Sequence, residues 1–150
     1  MTIREATIDD LNKIHNLGKT VEEFNVSDEA ATFWPKHILR NCIESKTDWL
    51  ILAEENNEIL GFTIVNNSPV FKKAIIENIF VSPQHRKKGV GKKLLAAAVE
   101  RIRETDCEYI CILTEVDNNT AINFYVSNGF NRGKNFAWLD RVLSDEFSKS

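Results

Sequence analysis

The stretch FVSPQHRKKGVGKKLLAAAVERI, residues 80–102, decides the fold. An apolar run ends in a turn with three consecutive basic residues beginning at Arg86, followed by Gly89 and Gly91. Apolar residues then recur at helical spacing. The first N–H groups of a helix lack acceptors within the helix, and the helix dipole favours negative charge at that end. The stretch therefore predicts a strand, a turn and a helix, with an anion-binding site where the helix begins.

Two familiar phosphate-binding motifs do not fit this turn. The P-loop requires Ser or Thr after its Gly-Lys pair, where this chain has Lys93. The dinucleotide motif requires a third glycine where this chain has Leu94. The remaining pattern is Arg86-x-x-Gly89-x-Gly91. By itself it also fits a turn that the glycines merely shape, beside solvated lysines.

Length and composition predict one globular domain spanning residues 1–150. The chain is 43% hydrophobic and 27% charged, and its net charge of -3 provides no general basic field, so no nucleic-acid partner is expected. The apolar runs are too short to span a membrane, and charges near Met1 are unlike a signal peptide. We expect a cytoplasmic protein with no membrane partner. The three cysteines and three histidines lack metal-ligand spacing, so no metal is expected.

The hydrophobic pattern predicts an α/β (α+β mixed) fold with helices on the faces of a sheet. A strand at 2–6 precedes a helix that Thr7 caps and that continues to about Glu23, and a second helix follows Pro35. Two strands meet at a turn formed by Asn56 and Asn57, and a third strand covers 72–82. The run 108–116 predicts a central strand covered on both faces, and residues 132–143 predict a hairpin or edge strand pair.

A second motif joins the first in the order expected of one family. It reads Asn118-x-x-Ala121-x-x-x-Tyr125-x-x-x-Gly129-Phe130 and coincides with a short predicted helix. With both motifs, the sequence resembles the GNAT N-acetyltransferase superfamily over roughly residues 2–143, and in motif spacing it is nearest to the diamine acetyltransferase branch. The resemblance implies a single GNAT-like domain, with a mixed sheet of about six or seven strands flanked by about four helices. Because dimers are frequent in the superfamily, it also implies a homodimer, through the C-terminal strands.

The resemblance also implies a binding site for acetyl-CoA. Backbone N–H groups from Lys87 to Lys92 would hold the pyrophosphate, while the strand backbone at 79–81 and the second motif would line the pantetheine arm. The expected cofactor-binding residues are Ile79, Phe80, Val81, Arg86, Lys87, Lys88, Gly89, Val90, Gly91, Lys92, Asn118, Ala121 and Tyr125.

The same resemblance assigns two catalytic residues. Glu77 would remove the proton from the acceptor amine, and Tyr125 would protonate the leaving sulfur, with the Val81 N–H as donor to the oxyanion. Strand alternation places Glu77 on one face with Ile75, Ile79 and Val81. A solvated edge carboxylate is the alternative for Glu77, and core packing is the alternative for Tyr125.

The expected acceptor site combines acidic and aromatic residues. Glu23, Phe24 and Trp34, together with Glu77, are the expected substrate-binding residues, because carboxylates and aromatic rings attract a cationic amine. A solvated acidic face over core aromatics is the alternative. The expected acceptor is a small polyamine-like or lysine-like primary amine. Acetylation of peptide N-termini or protein lysines, and a non-catalytic acyl-CoA sensor, remain the other hypotheses.

Overall fold

A five-stranded sheet forms the centre of the protein, and its strands lie side by side in chain order. The computed structural model describes residues 1–149. The strands are β1 (Thr2–Glu5), β2 (Trp49–Glu55), β3 (Glu58–Ser68), β4 (Lys73–Val81) and β5 (Tyr109–Ile112). The first four are antiparallel, and β5 runs parallel to β4. The helices are α1 (Leu11–Gly18), α2 (Lys36–Glu44), α3 (Val90–Arg103) and α4 (Asn119–Ser127).

Local signals account for most of these elements. Asn56 and Asn57 adopt φ angles of 50° and 63° in the β2–β3 turn, a region that asparagine tolerates better than most residues. Pro35 directly precedes α2 and supplies no N–H where the helix needs none. Gly129 follows α4 with φ of 95°, as the left-handed end of a helix requires.

Two apolar clusters cover the two faces of the sheet. On one face, α3 buries Leu94, Leu95, Ala98 and Ile102 against strands β2 to β4. On the other face, α1 and α2 pack over an aromatic group that includes Phe33, Phe62 and Phe80. No helix in the described part of the chain combines the length and apolar character needed to cross a membrane.

The prediction of six or seven strands was wrong, since residues 1–149 contain five. The predicted hairpin or edge pair at 132–143 has no strand structure, since within residues 1–149 its backbone forms no hydrogen bond with any strand. The run at 108–116 was predicted to be central. Instead β5 ends the sheet, and Tyr109 is exposed.

The first helix is also shorter than predicted. It ends at Gly18, before a one-turn 3-10 helix at Glu22–Phe24, although Val21 still joins the core. A side chain at Gly18 would collide with the ring of Phe33. Gly18 therefore lets the Phe33 ring pack closely against α1, and the low helix propensity of glycine weakens the helix at the same point.

Candidate active site

The glycine turn leaves a run of backbone donors unused. Lys87 and Gly89 adopt left-handed φ angles of 60° and 83°, and Gly89 is the N-cap of α3. Within residues 1–149, no hydrogen bond takes up the backbone N–H groups from Lys87 to Lys92. The first turn of α3 contains no acidic residue. The helix dipole adds positive potential to these donors, so the turn is suited to bind an anion such as a phosphate.

Basic side chains surround this turn without being used in ion pairs. Lys87, Lys88 and Lys92 are exposed and form no salt bridge with the described residues. Arg86 folds back, so that its Nε donates to the Val81 carbonyl at 2.9 Å. Arg86 therefore joins the turn to the end of β4, and its remaining N–H groups stay available for a ligand.

The edge of β4 opens next to the turn. The ladder between β4 and β5 runs only from Lys73–Tyr109 to Ile76–Ile112, so residues 77–81 have no β5 partner. Gly91 stands between Val81 and Phe124, and a Cβ there would lie 3.5 Å from each side chain. The free strand edge, the start of α3 and the face of α4 thus meet beside Gly91. The backbone N–H and C=O groups at 77–81 that are not bonded to β3 or to Arg86 can pair with an extended ligand.

A β-bulge changes the face on which Glu77 lies. The register between β3 and β4 shifts so that Asn78 pairs with Ile64 and Ile76 pairs with Val65, leaving Glu77 as the extra residue. Residues on both sides of the bulge, Ile76 and Ile79, pack on the α3 face. The prediction that Glu77 shares a face with Ile79 and Val81 was therefore wrong, because strict alternation does not continue through a bulge.

Glu77 instead faces the α1–α2 side of the sheet and is half-buried there. Burial raises the pKa of its carboxyl group, and the negative charge of Asp48 adds to that increase. Asp48 itself is held in place, since its oxygens accept from the Asn67 N–H at 3.0 Å and the Ser45 hydroxyl at 2.9 Å. On α2, burial raises the pKa of the Cys42 thiol to about 12, with Asp48 and Glu77 contributing. Glu77 has no hydrogen-bond partner in residues 1–149, so its carboxyl group is free to accept a proton.

Tyr125 lies on the inner face of α4. Its ring packs between those of Phe124 and Phe130, with centroid distances of 5.2 and 6.0 Å. Burial raises the pKa of the Tyr125 hydroxyl to about 12. The hydroxyl therefore keeps its proton at neutral pH and can donate a hydrogen bond.

Asn118 has a structural role that its motif did not reveal. It is the N-cap of α4, and its Oδ1 accepts from the Ala121 N–H at 3.1 Å. An N-cap side chain of this type stabilises a helix by about 1 kcal/mol. Ala121 is half-buried in the first turn of the same helix.

The predicted substrate-binding residues divide into three environments. Trp34 donates from its indole N–H to the Asn78 Oδ1 at 3.1 Å, which places it beside the bulge that contains Glu77. Phe24 packs in the aromatic core, stacked on Phe33 with ring centroids 5.4 Å apart. Glu23 directly precedes Phe24 in the one-turn 3-10 helix and is exposed. The structure therefore connects Trp34 with the Glu77 region, and it gives Glu23 no such connection.

Sequence reasoning missed Asp48 and Asn78. The sequence around Asp48 carries no recognisable motif, and its closeness to Glu77 arises from the pairing of β2 with β3. Asn78 did leave a signal, because Glu77 and Asn78 are adjacent polar residues within an apolar strand. A bulge places two residues of one strand opposite a single residue of its partner, which accommodates two such adjacent polar residues.

Among the described residues, no cluster of three His, Cys, Asp or Glu side chains could hold a metal ion. The start of α3 has free N–H groups and lies beside the edge of β4 that β5 leaves unpaired. This arrangement is typical of a class of α/β proteins that can bind an extended cofactor carrying phosphate groups. A model of the acetyltransferase (GNAT) family matches residues 9–130. The chain belongs to this family of N-acetyltransferases, which is consistent with the acyl-CoA site expected from its motifs.

Individual relatives differ in what they are named for. The chain is 30% identical over 144 residues to the uncharacterized N-acetyltransferase YhfO of Bacillus subtilis, covering 91% of this chain and 93% of that protein. It is 32% identical over 86 residues to N-alpha-acetyltransferase 30 of Xenopus laevis, covering 55% of this chain but only 32% of that longer protein. An aminoglycoside N-acetyltransferase solved in complex with CoA shares the fold, with a TM-score of 0.75, 18% identity, and coverage of 95% and 100%.

Proposed function

We propose that this chain acts as a single catalytic domain that transfers an acetyl group from acetyl-CoA to a small polyamine-like or lysine-like primary amine. The observation that carries the proposal is the run of free N–H groups from Lys87 to Lys92, directly beside the open edge of β4. In this proposal the N–H run and the nearby lysines hold the CoA phosphates. The backbone at 79–81 pairs with the pantetheine arm, while Asn118, Ala121 and Tyr125 line its other side.

Bound acetyl-CoA supplies a thioester, whose C–S bond breaks as a C–N bond to the amine forms. An alkylammonium has a pKa near 10.4, so the amine must lose a proton before it can attack. Glu77 is suited to take this proton, directly or through water, because burial and Asp48 raise the pKa of its carboxyl toward the working pH. The Val81 N–H, at the end of the open edge, is our proposed donor to the thioester oxygen as it gains charge.

Tyr125 would stabilise the leaving sulfur. A thiol has a pKa of about 8.5, well below the value of about 12 for Tyr125, so complete proton transfer from this tyrosine is uphill. The hydroxyl therefore acts first as a hydrogen-bond donor to the thiolate. The proton that the thiol finally carries can come from the amine by way of Glu77.

The charge around Glu77 supports a cationic acceptor. The negative charge of Asp48 disfavours the ionisation of Glu77, and a positively charged amine beside them relieves that repulsion. Binding of the amine thus favours the ionised, basic form of Glu77. Trp34, hydrogen-bonded to Asn78, offers an aromatic ring near the same point. A diamine or a lysine side chain satisfies this chemistry. We therefore propose that the chain is nearest in function to the diamine acetyltransferase branch of the family.

Acetylation of peptide N-termini is the second candidate, and the similarity over 86 residues to N-alpha-acetyltransferase 30 favours it. The two candidates predict different acceptors in one assay. Release of free CoA thiol from acetyl-CoA would be followed with polyamines, lysine derivatives, aminoglycosides and short peptides. Turnover with polyamines or lysine derivatives is expected, whereas turnover with peptides alone would overturn the small-amine proposal.

The same assay tests the base. Glu77→Gln is expected to lower kcat by roughly 10²- to 10⁴-fold, the usual contribution of general-base catalysis. Glu100→Gln, an exposed carboxylate on α3, is the matched control and should retain activity. Tight acetyl-CoA binding by the wild-type protein without turnover on any acceptor would favour the non-catalytic sensor.

A further inference from the structure

The last residues of the described chain return to the loop that precedes α2. We call residues 144–149 the strap. Ser148 in the strap forms an antiparallel bridge with Ala30 in the loop. Beside this bridge, the Ala31 N–H donates to the Phe147 carbonyl at 2.7 Å. The strap is thus paired with the α1–α2 connection through its backbone.

Lys149 strengthens this attachment. Its backbone N–H donates to the Glu29 carbonyl at 2.8 Å. Its ammonium group donates to the Asn25 Oδ1 at 2.8 Å and to the Ser27 carbonyl at 3.2 Å. One residue of the strap therefore holds the loop at three points, and the shape of the loop depends on a segment that is distant in sequence.

Trp34, near the end of this loop, is held from two sides. Its indole N–H donates to the Asn78 Oδ1 at 3.1 Å. The Phe147 ring meets the Trp34 ring at 84° with centroids 6.0 Å apart, which is the edge-to-face arrangement that aromatic pairs favour. The hydrogen bond fixes one edge of the indole, and the contact with Phe147 fixes its tilt. The strap therefore contributes to the orientation of the Trp34 ring.

Trp34 also lies close to the proposed base. Asn78 follows Glu77 directly in β4, and the bulge places both side chains on the α1–α2 side of the sheet. Trp34 is half-buried, so part of its indole surface remains accessible to a ligand. A tryptophan ring attracts a cation that lies over its face within about 6 Å of the centroid. A cationic substrate beside Glu77 is therefore within reach of an oriented aromatic ring.

The two amino groups of a diamine need different surroundings. The reacting amine must be neutral when it attacks, so a cation–π contact with this group would be lost as the reaction proceeds. The other amine keeps its proton at neutral pH, because an alkylammonium has a pKa near 10.4. An aromatic ring near the base is therefore of most use to the non-reacting ammonium.

We propose that the strap, through Phe147, orients the Trp34 ring to bind the non-reacting ammonium of a diamine. This inference rests on the proposed function, and it adds the feature that selects a diamine over a monoamine. Phe147 is a positioning residue, because it acts through Trp34. A single cation–π contact changes affinity by roughly 2- to 30-fold, which is enough to discriminate between two amines of equal length.

The ratio of kcat/KM for diaminobutane to kcat/KM for butylamine tests the proposal, with CoA release measured at saturating acetyl-CoA. A loss of active protein lowers both values alike and leaves the ratio unchanged. Phe147→Ala is expected to lower the ratio by roughly 2- to 10-fold, with an unchanged Kd for acetyl-CoA. Phe147→Tyr keeps the ring and should retain the wild-type ratio. Phe71→Ala is the matched control, since Phe71 is 79% exposed in the β3–β4 turn and should also retain it.

A double-mutant cycle tests whether Phe147 acts through Trp34. Trp34→Leu alone should lower the ratio, and adding Phe147→Ala to it should have no further effect. An equal effect of Phe147→Ala with and without Trp34 would overturn the positioning role, as would a wild-type ratio in Phe147→Ala.

The wild-type protein separates this inference from the proposed function. Turnover of butylamine as efficient as that of diaminobutane would overturn the ammonium site and leave the acetyltransferase proposal standing. Absence of turnover with both amines would overturn the small-amine proposal, and this inference with it.

Discussion

Replacing Gly89 by alanine separates the geometry of the phosphate-binding turn from the stability of the fold. Gly89 has φ of 83°, and a Cβ there would meet nothing within 4 Å. The cost of alanine is therefore purely a backbone cost, about 1–2 kcal/mol for an L-residue in the left-handed region. In a 150-residue domain this lowers the melting temperature by roughly 2–8 °C. The protein should still fold.

The same substitution should strongly affect acetyl-CoA. The new methyl group would enter the open space at the start of α3, where the proposed phosphates lie. Relaxation of the backbone would instead turn the free N–H groups away from that space. In either case we expect the Kd for acetyl-CoA, measured by isothermal titration calorimetry, to rise at least about tenfold, or about 1.4 kcal/mol.

Gly129→Ala is the matched control for this experiment. Gly129 has φ of 95°, also has nothing within 4 Å of a built Cβ, and lies after α4. Both variants should lose a similar amount of stability, and only Gly89→Ala should bind acetyl-CoA weakly. Equal affinity in the two variants would refute the assignment of the turn as the phosphate site. An unchanged melting temperature in both would refute the backbone argument.

Three further changes test the carboxylates and the tyrosine. Tyr125→Phe should lower kcat by roughly 10- to 100-fold, the value of one hydrogen bond to a charged group, with the Kd for acetyl-CoA nearly unchanged; equal turnover in a steady-state assay would remove Tyr125 from the mechanism. Glu77→Gln should abolish the acidic limb of the pH profile of kcat/KM, which we expect above pH 4.5 because burial and Asp48 raise the pKa of Glu77. The same change should raise the melting temperature at pH 7, because it removes a charge that folding must bury. A lower melting temperature would contradict this. The side chain of Asp10 is only 8% exposed, and its pKa is lowered from 3.8 to about 2, mainly by its hydrogen bonds to Arg4. Asp10→Asn should therefore lower the free energy of unfolding in urea by about 2 kcal/mol at pH 7. This difference from the wild type should vanish as the pH falls from about 4 to 2. A difference independent of pH would contradict the ion pair.

Features with local causes were predictable from the sequence. Asn56 and Asn57 indicated their own turn, and Gly89 indicated the helix start, because positive φ angles are properties of single residues. The order of helices and strands was likewise predictable from the spacing of apolar residues along the chain. The position of Glu77 relative to the sheet faces was not predictable by counting. A bulge depends on the register between β3 and β4, and register belongs to a pair of strands.

The largest errors arose where an element depends on residues far away in the chain. Gly18 is the last residue of α1, and a side chain there would collide with the ring of Phe33; no window of sequence around Gly18 shows that contact. Residues 132–143 have the apolar content of a strand, yet a segment becomes a strand only when its N–H and C=O groups find a partner edge. Within residues 1–149, β5 lies at the edge of the sheet, and residues 132–143 form no backbone hydrogen bond with it. The prediction of strands there followed from the hydrophobic pattern, and it was wrong because a hydrophobic pattern does not show whether a segment reaches a partner edge.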